Sequence, residues 1–375
     1  MIYVVSAGDT VDRIAADFGI PVETLIYDNQ IPYPYRLAIG QALFITDQEE
    51  REDKRSIFVN GYAYPFIREW VLRQTLPYLT ELSVFSYGFT TEGILIPPII
   101  EDQWMIDLAR QYGVNPILTL TPLDDSGRFN NNLISVMVND EEVRNTLIIQ
   151  LINTLYEKNY AGTDIDFEYI LAEDRDAFTE FVRVTTESLN AEGFQVSVAL
   201  APKTSAEQQG LLYEGKDYRA LGEAANSVLL MTYEWGYTFG PPMAVAPLNK
   251  VREVVEYAIT EIDPAKINLG IPNYGYDWTL PYVRGESRAR TIGNVEAVQL
   301  AITQGVEIQF DPIAQTPFYT YVEQGLSHEV WFEDVRSLNE KFDLVYEYGL
   351  RGVGYWQIMQ LFRANWLLLE SRFRV

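Results

Sequence analysis

Short apolar segments alternate with amphipathic helical segments from residue 56 to the C-terminus. Eight of the apolar segments have the length and the β-branched and aromatic content of buried strands, and they lie at 56–64, 81–89, 115–123, 162–169, 194–202, 227–235, 267–278 and 352–359. The stretches between them, such as 141–159 and 174–193, place apolar residues at helical spacing. Eight buried strands that alternate with helices predict an α/β fold, a (β/α)₈ TIM barrel.

A long interval separates the seventh and the eighth strand segments. Residues 279–333 within it carry strand-like and turn-like patterns of their own, which a single connecting helix would not show. We therefore expect a barrel domain over residues 56–375, with a small α+β insertion after strand 7 at about residues 279–333.

The first 46 residues form a separate pattern. It consists of a strand, two helices and a second strand, at 2–5, 9–20, 21–30 and 41–45. Asp9 or Thr10 is the predicted N-cap of the first helix, and Gly19 is its predicted end. The charged residues that follow have no apolar periodicity and predict a solvated linker over 47–55. The N-terminal unit is thus a βααβ module over residues 1–46.

A strong negative charge limits the class of partner. The chain has 28 Lys and Arg against 53 Asp and Glu, a formal net charge of −25. Because such a surface repels polyanions, nucleic acid is not expected to bind, and a neutral hydrogen-bonding ligand fits better. No apolar run reaches the length of a membrane span, and MIYVVSAGDT lacks the pattern of a signal peptide. We therefore predict neither a membrane anchor nor a signal peptide, while the oligomeric state is left open.

The residue types available for chemistry are few. The chain has no cysteine and one histidine, His328. This composition argues against thiolate chemistry, His-rich metal sites and a Ser-His-Asp triad. Carboxylates and tyrosines are left for proton transfer, and no metal or cofactor is expected.

Three acids fall at every second position of the predicted fourth strand, within YAGTDIDFEY at 160–169. Asp164, Asp166 and Glu168 would point to one face, toward the barrel interior, because side chains alternate along a strand. Burial and mutual repulsion raise the pKa of at least one of them, so that a carboxylic acid stays protonated near neutral pH. Glu168 is nearest the mouth, where barrel active sites lie, and is the predicted general acid. The alternative is a solvated or arginine-paired strand face.

The segment AGTDIDFE resembles the strand-four catalytic motif of glycoside hydrolase family 18, the chitinase-like enzymes. Three further segments resemble the motifs of the family's strands six, seven and eight: MTYE at 231–234, LGIPNYGYDW at 269–278 and GVGYWQ at 352–357. They occur in the family's order, and the resemblance covers nearly all of residues 56–375. Ala161 replaces the first acid of the motif, and Glu234 replaces the aspartate after the strand-six tyrosine. The longer acid at 234 is expected to shift the pH optimum or the fit of the substrate.

The resemblance implies a retaining, substrate-assisted hydrolysis in which the 2-acetamido group of the sugar acts as the nucleophile. Glu168 would be the acid and base, and Asp166 would orient the acetamide N–H and stabilise the developing positive charge. Asp164 would share a proton with Asp166, and Tyr233 would hydrogen-bond the acetamide carbonyl. The implied substrate-binding residues are Trp356, as a platform for the sugar face, Glu234, Tyr62, Tyr276 and Asn273. The alternative for Tyr233 and the tryptophan is a role as core aromatics.

The N-terminal module resembles LysM, a sugar-binding domain that binds glycans containing N-acetylglucosamine. The matching pieces are YVVSAGDTVDRIAADFGI, LIYDNQI and IGQALFI. The resemblance implies that the module binds glycan through Gly8, Asp9, Thr10, Asn29 and Ile31. The alternative is a small helical dimerisation module.

The pairing of this module with MTYEWGYTFGPPMAVAPLNKV, at 231–251, is most similar to the spore-associated N-acetylglucosaminidases of spore-forming bacteria. This similarity implies a spore-associated protein that cleaves β-1,4 bonds after N-acetylglucosamine in cortex peptidoglycan or its fragments, anchored to the glycan by LysM. Two alternatives stay open: a chitinase that acts on chitin oligomers, and a non-catalytic glycan-binding protein on a chitinase-like barrel.

Overall fold

The computed structural model describes residues 1–46 and 54–375, and residues 47–53, which belong to the predicted linker, lie outside the described residues. The strands are, in chain order, β1 (Ile2–Val4), β2 (Ala42–Phe44), β3 (Arg55–Ser56), β4 (Phe58–Ala63), β5 (Glu81–Phe89), β6 (Leu95–Ile96), β7 (Asn115–Leu120), β8 (Gly162–Ile165), β9 (Gln195–Leu200), β10 (Ser227–Leu230), β11 (Ile267–Pro272), β12 (Gly275–Leu280), β13 (Arg290–Ile292), β14 (Gln309–Asp311), β15 (Thr316–Glu323), β16 (Leu326–Trp331), β17 (Gly352–Trp356) and β18 (Phe373–Arg374). The α-helices are α1 (Val11–Phe18), α2 (Val22–Asp28), α3 (Glu69–Thr75), α4 (Gln103–Gln111), α5 (Asn132–Asn139), α6 (Glu141–Lys158), α7 (Arg175–Ala191), α8 (Tyr218–Ala224), α9 (Leu248–Glu261), α10 (Asn294–Gln304), α11 (Val335–Glu347) and α12 (Arg363–Arg372).

Eight parallel strands close into a barrel. Their order around it is β4, β5, β7, β8, β9, β10, β11 and β17, and β17 pairs again with β4. Each segment predicted as a buried strand contains one of these strands, so the predicted (β/α)₈ barrel is confirmed. Side chains that face out of the barrel join the apolar core, as Val196, Val198 and Leu200 of β9 do, whereas Ser197 and Ala199 face inward.

Local signals account for the ends of the helices. The carboxylate of Asp140, the N-cap of α6, accepts hydrogen bonds from the backbone N–H groups of Glu142 and Val143. The same helix ends at Asn159, whose φ of 64° is left-handed, a conformation that asparagine adopts more readily than most residues. None of the helices in the described part of the chain is long and apolar enough to cross a membrane.

Most of the observed barrel strands are shorter than the predicted segments, and two of these differences bear on the site. The strand predicted over 162–169 ends at Ile165, because beyond it the chain no longer pairs with β9. The strand predicted over 267–278 is two strands: β11 stays in the barrel, whereas β12 turns away and pairs antiparallel with β13 and β16. Gly275 begins β12, and a Cβ there would lie 2.3 Å from the carbonyl oxygen of Trp331. Only glycine therefore allows this close approach of β12 to β16.

A small α+β unit follows β11, as predicted. Its antiparallel sheet runs from Gly275 to Trp331 in the order β13, β12, β16, β15 and β14. Helix α10 packs on the sheet, and the shared core consists of Ile292, Ala297, Ala301, Ile308, Tyr319, Tyr321, Val330 and Phe332, together with Ala38 of the N-terminal module.

The N-terminal module has the predicted βααβ order. Strands β1 and β2 pair antiparallel, and helices α1 and α2 cover them around a small core of their own. Thr10 is the N-cap of α1, since its Oγ1 accepts from the N–H of Arg13. Gly19 ends α1 with a left-handed φ of 66°, as predicted. Asp9, the other predicted cap, instead accepts hydrogen bonds from the hydroxyl group of Tyr3 and from the backbone before it.

The N-terminal module packs directly on the barrel and on the inserted unit. The Gln30 side chain donates to the carbonyl of Leu361 at 3.2 Å and accepts from the N–H of Arg363 at 2.6 Å, in the segment after β17. Gly40 touches the inserted unit so closely that a Cβ there would lie 1.9 Å from the carbonyl oxygen of Ile308. The module is therefore held against the barrel and the inserted unit by specific contacts.

Candidate active site

The three acids of the fourth strand segment lie at the C-terminal end of β8. Asp164 is in the strand, and Asp166 and Glu168 are in the segment directly after it. The alternation of side chains continues past the end of the strand, because Ile165 and Phe167 are both fully buried on the opposite side. Phe167 lies among Phe89 of β5 and Phe178 and Phe181 of α7. The apolar residues thus anchor the segment, and the acids point to the mouth of the barrel.

Asp164 is a fully buried carboxylate with two hydrogen-bond donors. The Tyr62 hydroxyl donates to Oδ2 at 2.9 Å, and the Ser197 hydroxyl donates to Oδ1 at 2.5 Å. Burial raises the pKa of Asp164 to about 6, while these two hydrogen bonds oppose the rise. Asp164 can therefore exchange a proton near neutral pH.

Asp166 is the middle acid, and its Oδ1 is buried without a hydrogen-bond partner. Burial raises its pKa well above the ordinary value, and the charges of Glu168 and Asp164 raise it further. The positive charge of Lys216 acts in the opposite direction. A buried acceptor without a donor is an unusual arrangement, and a ligand N–H group would satisfy it.

Glu168 has an exposed side chain and borders a cavity of about 170 Å³. The cavity is enclosed mainly by apolar and aromatic side chains, with carboxylates at two points; its lining is Glu168, Ala201, Pro202, Leu212, Tyr213, Met231, Tyr233, Glu234 and Trp235. Apolar walls with few polar groups are typical of a small-ligand site.

Tyr233 follows β10 and lines the same cavity. Burial raises its pKa well above the ordinary value, and nearby carboxylates raise it further, so the hydroxyl stays protonated and can donate a hydrogen bond. Gly270 of β11 leaves room for the ring, because a Cβ at that position would lie 2.8 Å from Cε1 of Tyr233 and 2.3 Å from the carbonyl oxygen of Leu230.

Glu234 has a left-handed backbone, with a φ of 67° that is uncommon for a residue with a side chain. Tyr274 donates a hydrogen bond to its Oε1, and Tyr276 of β12 donates to the same oxygen at 3.0 Å. Burial raises the pKa of Glu234, and the two tyrosine hydrogen bonds oppose the rise. Tyr276, predicted to line the cleft, therefore acts on the site by holding Glu234.

Trp356 is the last residue of β17 and is partly exposed. Its ring lies at the centre of an aromatic group with centroid distances of 4.9 Å to Phe85, 5.9 Å to Tyr62 and 6.1 Å to Tyr64. These neighbours fix the orientation of the indole, which stays partly exposed.

Comparison with known protein families agrees with this geometry. The sequence model described as Glycosyl hydrolases family 18 matches residues 126–360, and the LysM domain model matches residues 3–46. The chain belongs to glycosyl hydrolase family 18. It is therefore a glycosidase by family, with a LysM domain before the family 18 barrel.

Several relatives share this domain arrangement over their full length. The chain is 38% identical to the Cortical fragment-lytic enzyme of Bacillus subtilis (strain 168) and 36% identical to that of Bacillus anthracis, over 100% of this chain and 98% of each relative. The crystal structure of the spore cortex-lytic enzyme SleL of Bacillus megaterium QM B1551 aligns with a TM-score of 0.93 at 34% identity, over 100% of this chain and 98% of that one. SleL of Bacillus cereus aligns with a TM-score of 0.83 at 36% identity, over 100% and 86%.

Asn273, predicted to bind substrate, contacts the segment after Trp356. Its side-chain Nδ2 donates to the carbonyls of Gln357 at 3.1 Å and Gln360 at 3.0 Å, and its Oδ1 faces Nδ2 of Asn294 at 3.5 Å. Both amide hydrogens are therefore engaged by that segment. Asn273 holds the segment in place, and its contact with substrate stays a prediction.

Tyr62, predicted to line the cleft, is buried inside the barrel. Its hydroxyl donates a hydrogen bond to Asp164. Three residues of the family 18 site were missed by sequence reasoning: Ser197, Lys216 and Tyr274. Ser197 is opposite Asp164 in the β8–β9 register, so strand pairing is the signal that would have found it.

The predicted glycan-binding residues of the LysM domain divide into two groups. Gly8 and Thr10 are exposed in the segment between β1 and α1, and Asp9 beside them is engaged with Tyr3. Asn29 instead holds β2 in place. Its Nδ2 donates to the carbonyls of Phe44 and Leu25, and its Oδ1 accepts from the N–H of Phe44. Ile31 is buried in the LysM core. Both side chains are thus used within the domain, and the glycan-binding roles of Asn29 and Ile31 stay predictions.

Across residues 1–46 and 54–375, no group of three or more His, Asp or Glu side chains converges as the ligands of a metal ion would.

Proposed function

We propose that this family 18 glycosidase cleaves β-1,4 bonds after N-acetylglucosamine in peptidoglycan, in the spore cortex or in fragments released from it. The observation that carries the proposal is the buried, unpaired Oδ1 of Asp166, which the acetamide N–H of N-acetylglucosamine would satisfy. Peptidoglycan is the favoured polymer because relatives aligned over the whole chain are named as cortical fragment-lytic enzymes. A spore-associated location follows from the same relatives.

The proposed reaction is substrate-assisted and retains the anomeric configuration. Glu168 donates a proton to the glycosidic oxygen as the bond from C1 to that oxygen breaks. The acetamide oxygen of the same sugar attacks C1 and forms an oxazolinium ion. Water then attacks C1 from the face opposite to the acetamide oxygen and gives a proton to Glu168, as the bond between C1 and that oxygen breaks and the acetamide group is restored. Two inversions at C1 restore the original configuration.

The other residues have roles that follow from their contacts. Asp166 accepts the acetamide N–H and stabilises the positive charge of the oxazolinium ion. Asp164, whose pKa is raised to about 6, shares a proton with Asp166. The protonated hydroxyl of Tyr233 donates to the acetamide carbonyl oxygen, and Trp356 supports the apolar face of the sugar.

LysM is proposed to anchor the enzyme to its insoluble substrate. Gly8 and Thr10, which are exposed, are the candidates for direct contact with glycan, and Asp9 holds the loop between them. We propose the domain division as LysM over 1–46, a linker over 47–55 and the barrel with its insertion over 56–375.

Mass spectrometry of reaction products tests the proposed cleavage. Purified protein is incubated with cortex fragments and, separately, with chitin oligomers, and the reducing ends are identified. Muropeptides that end in reducing N-acetylglucosamine are expected. Cleavage of chitin alone would favour a chitinase instead, and cleavage of neither polymer would contradict the proposal.

A matched pair of variants tests the catalytic assignment. Glu168→Gln keeps the size of the side chain but cannot donate or accept the proton, so turnover should fall at least about 10³-fold while glycan binding persists. Glu173→Gln removes an exposed carboxylate in the same segment of chain and should leave turnover unchanged. Retained activity in the first variant would disprove the assignment.

A further inference from the structure

Lys216 is a buried lysine near Asp166 and Glu168, and the mechanism proposed above gives it no role. Lys216 lies in the segment between β9 and α8, and its side chain is 1% exposed. Its Nζ donates to the carbonyl oxygen of Ala199 at 3.5 Å. The last registered pair of β8 and β9 is Ile165 with Val198, so Ala199 stands next to the position of Asp166. The ammonium group of Lys216 therefore lies where β8 and β9 stop pairing, beside the segment that carries Asp166 and Glu168.

The segment that carries Lys216 is held on two sides. Gly215 lies against the segment after Glu168 so closely that a Cβ there would be 2.3 Å from the carbonyl oxygen of Ile170. On the other side, Nζ of Lys203 donates to the carbonyl of Lys216 at 2.9 Å. The backbone at 216 is thus fixed before substrate binds, and its ammonium group is preorganised.

Charge, more than hydrogen bonding, links Lys216 to the acids. The ammonium has three N–H donors, and the contact with Ala199 is long for a hydrogen bond. Burial lowers the pKa of Lys216 to about 8, and the charges of Glu168 and Asp166 act to keep it protonated. In return, Lys216 lowers the pKa of Asp166 against the effect of burial. The ionisable groups that interact around Asp166 are Asp164, Glu168, Lys216, Tyr62, Tyr64 and Tyr233.

We propose that Lys216 is a positioning residue for the reaction: its buried ammonium group, held at the end of β9 beside the segment that carries the acids, favours the carboxylate form of Asp166. Without this cation, burial and the neighbouring carboxylates would favour a protonated Asp166, which could not stabilise a positive intermediate. Lys216 is not among the residues that line the cavity, so its charge acts without occupying the place of the sugar. The inference rests on the substrate-assisted mechanism proposed above.

The test is the pH profile of kcat/KM on whichever soluble glycan the wild-type enzyme cleaves. Lys216→Met removes the charge but keeps much of the chain length, so Asp166 should bind its proton more tightly. The acid limb should move to higher pH by about one unit, and kcat should fall about tenfold with a smaller change in KM. Lys216→Arg keeps the charge and should keep the limbs of the wild type. Lys216→Gln should give the same shift as Lys216→Met, and it serves as the test if Lys216→Met does not fold.

Lys266→Met is the matched control, because Nζ of Lys266 bonds the backbone carbonyls of Gly222 and Ala225 and has no role at the acids. It should lower stability and leave the pH profile in place. A Lys216→Met enzyme that loses activity with unmoved limbs would overturn the inference and leave the proposed function intact. A wild-type enzyme that cleaves neither glycan would overturn both.

Discussion

The hydroxyl of Tyr62 donates a 2.9 Å hydrogen bond to Asp164, and this bond joins the first barrel strand to the fourth across the interior of the barrel. Both side chains are buried, and the second oxygen of the carboxylate is bound by Ser197. The pKa of Asp164 is about 6 because burial outweighs these two hydrogen bonds. The pH dependence of the site is thus set partly by a residue that the substrate does not touch.

Tyr62→Phe should raise the pKa of Asp164 above its present value of about 6, since the hydrogen bond from Tyr62 now lowers it. A hydrogen bond to a charged group contributes about 1.5–3 kcal/mol, so the shift should be about one unit or more. We expect the acid limb of the pH profile of kcat to move upward by that amount. Ser197→Ala removes the donor to the other oxygen and should shift the limb in the same direction. A shift to lower pH in either variant would contradict this assignment.

Asp164→Asn should inactivate the enzyme but stabilise it at neutral pH. The folded-state pKa of Asp164 is raised from 3.8 to about 6, so ionisation of this buried group opposes folding. This free-energy cost of folding is absent below the pKa of Asp164 in the unfolded chain. It grows as pH rises from about 4 to about 6 and stays constant at higher pH. At about 1.4 kcal/mol per pKa unit it reaches at most about 3 kcal/mol. Thermal unfolding at pH 7.5 and at pH 3.5 measures it: the variant's advantage should be present at the first pH and vanish at the second.

Glu234→Asp, which restores the family's shorter acid, should weaken catalysis here. Tyr274 and Tyr276 both donate to the Glu234 carboxylate, and a carboxylate one methylene shorter would leave these buried hydroxyls without an acceptor. We expect kcat to fall about tenfold or more. The double variant with Tyr274→Phe should lose less than the sum of the two single effects, because the shared contact is lost only once. Full activity of Glu234→Asp would show that the tyrosine contacts are dispensable.

Gly270→Ala should damage both the fold and the site. The new methyl group would lie 2.3 Å from the carbonyl oxygen of Leu230, which cannot rotate away, and 2.8 Å from the ring of Tyr233. A loss of about 2 kcal/mol or more in unfolding free energy is expected, with reduced kcat at temperatures where the variant is folded. Gly354→Ala is the control, since its methyl group would meet only a terminal carbon of the Leu229 side chain, which can move. Equal effects of the two substitutions would contradict this explanation.

Removal of residues 1–46 should weaken attachment to insoluble glycan and lower the melting temperature of the barrel. Phe44 of the LysM domain belongs to the same apolar core as the barrel, and Gln30 bonds the segment before α12. The truncated chain exposes this apolar surface to water, which costs about 25 cal/mol for each Å². Differential scanning calorimetry and a pull-down with insoluble glycan measure the two effects, with hydrolysis of soluble oligomers nearly intact below the new melting temperature. Gln30→Ala should cause a smaller fall in melting temperature and leave glycan binding unchanged.

The barrel was predictable because each of its strands is a local apolar run, and burial on both faces leaves that pattern whatever the neighbours are. The ends of strands were less predictable, since they depend on pairing partners. The segment 162–169 continues to alternate after Ile165, but its neighbour β9 has separated from it by then. Similarly, Pro272, Asn273 and Gly275 are common turn residues, but only the pairing of β12 with β13 and β16 shows that the chain leaves the barrel there.

By itself, the sequence determined the barrel, the LysM module and the side on which Asp164, Asp166 and Glu168 lie, because strand periodicity and cap residues act over a few neighbouring positions. Tertiary structure alone decided the direction in which the pKa values of Asp164 and Asp166 are shifted. Ser197 and Lys216 reach the acids from other elements, across a strand register and along a loop packed against the site. Burial and charge act through space, so the pKa of a carboxyl group depends on residues that its own segment of sequence does not contain.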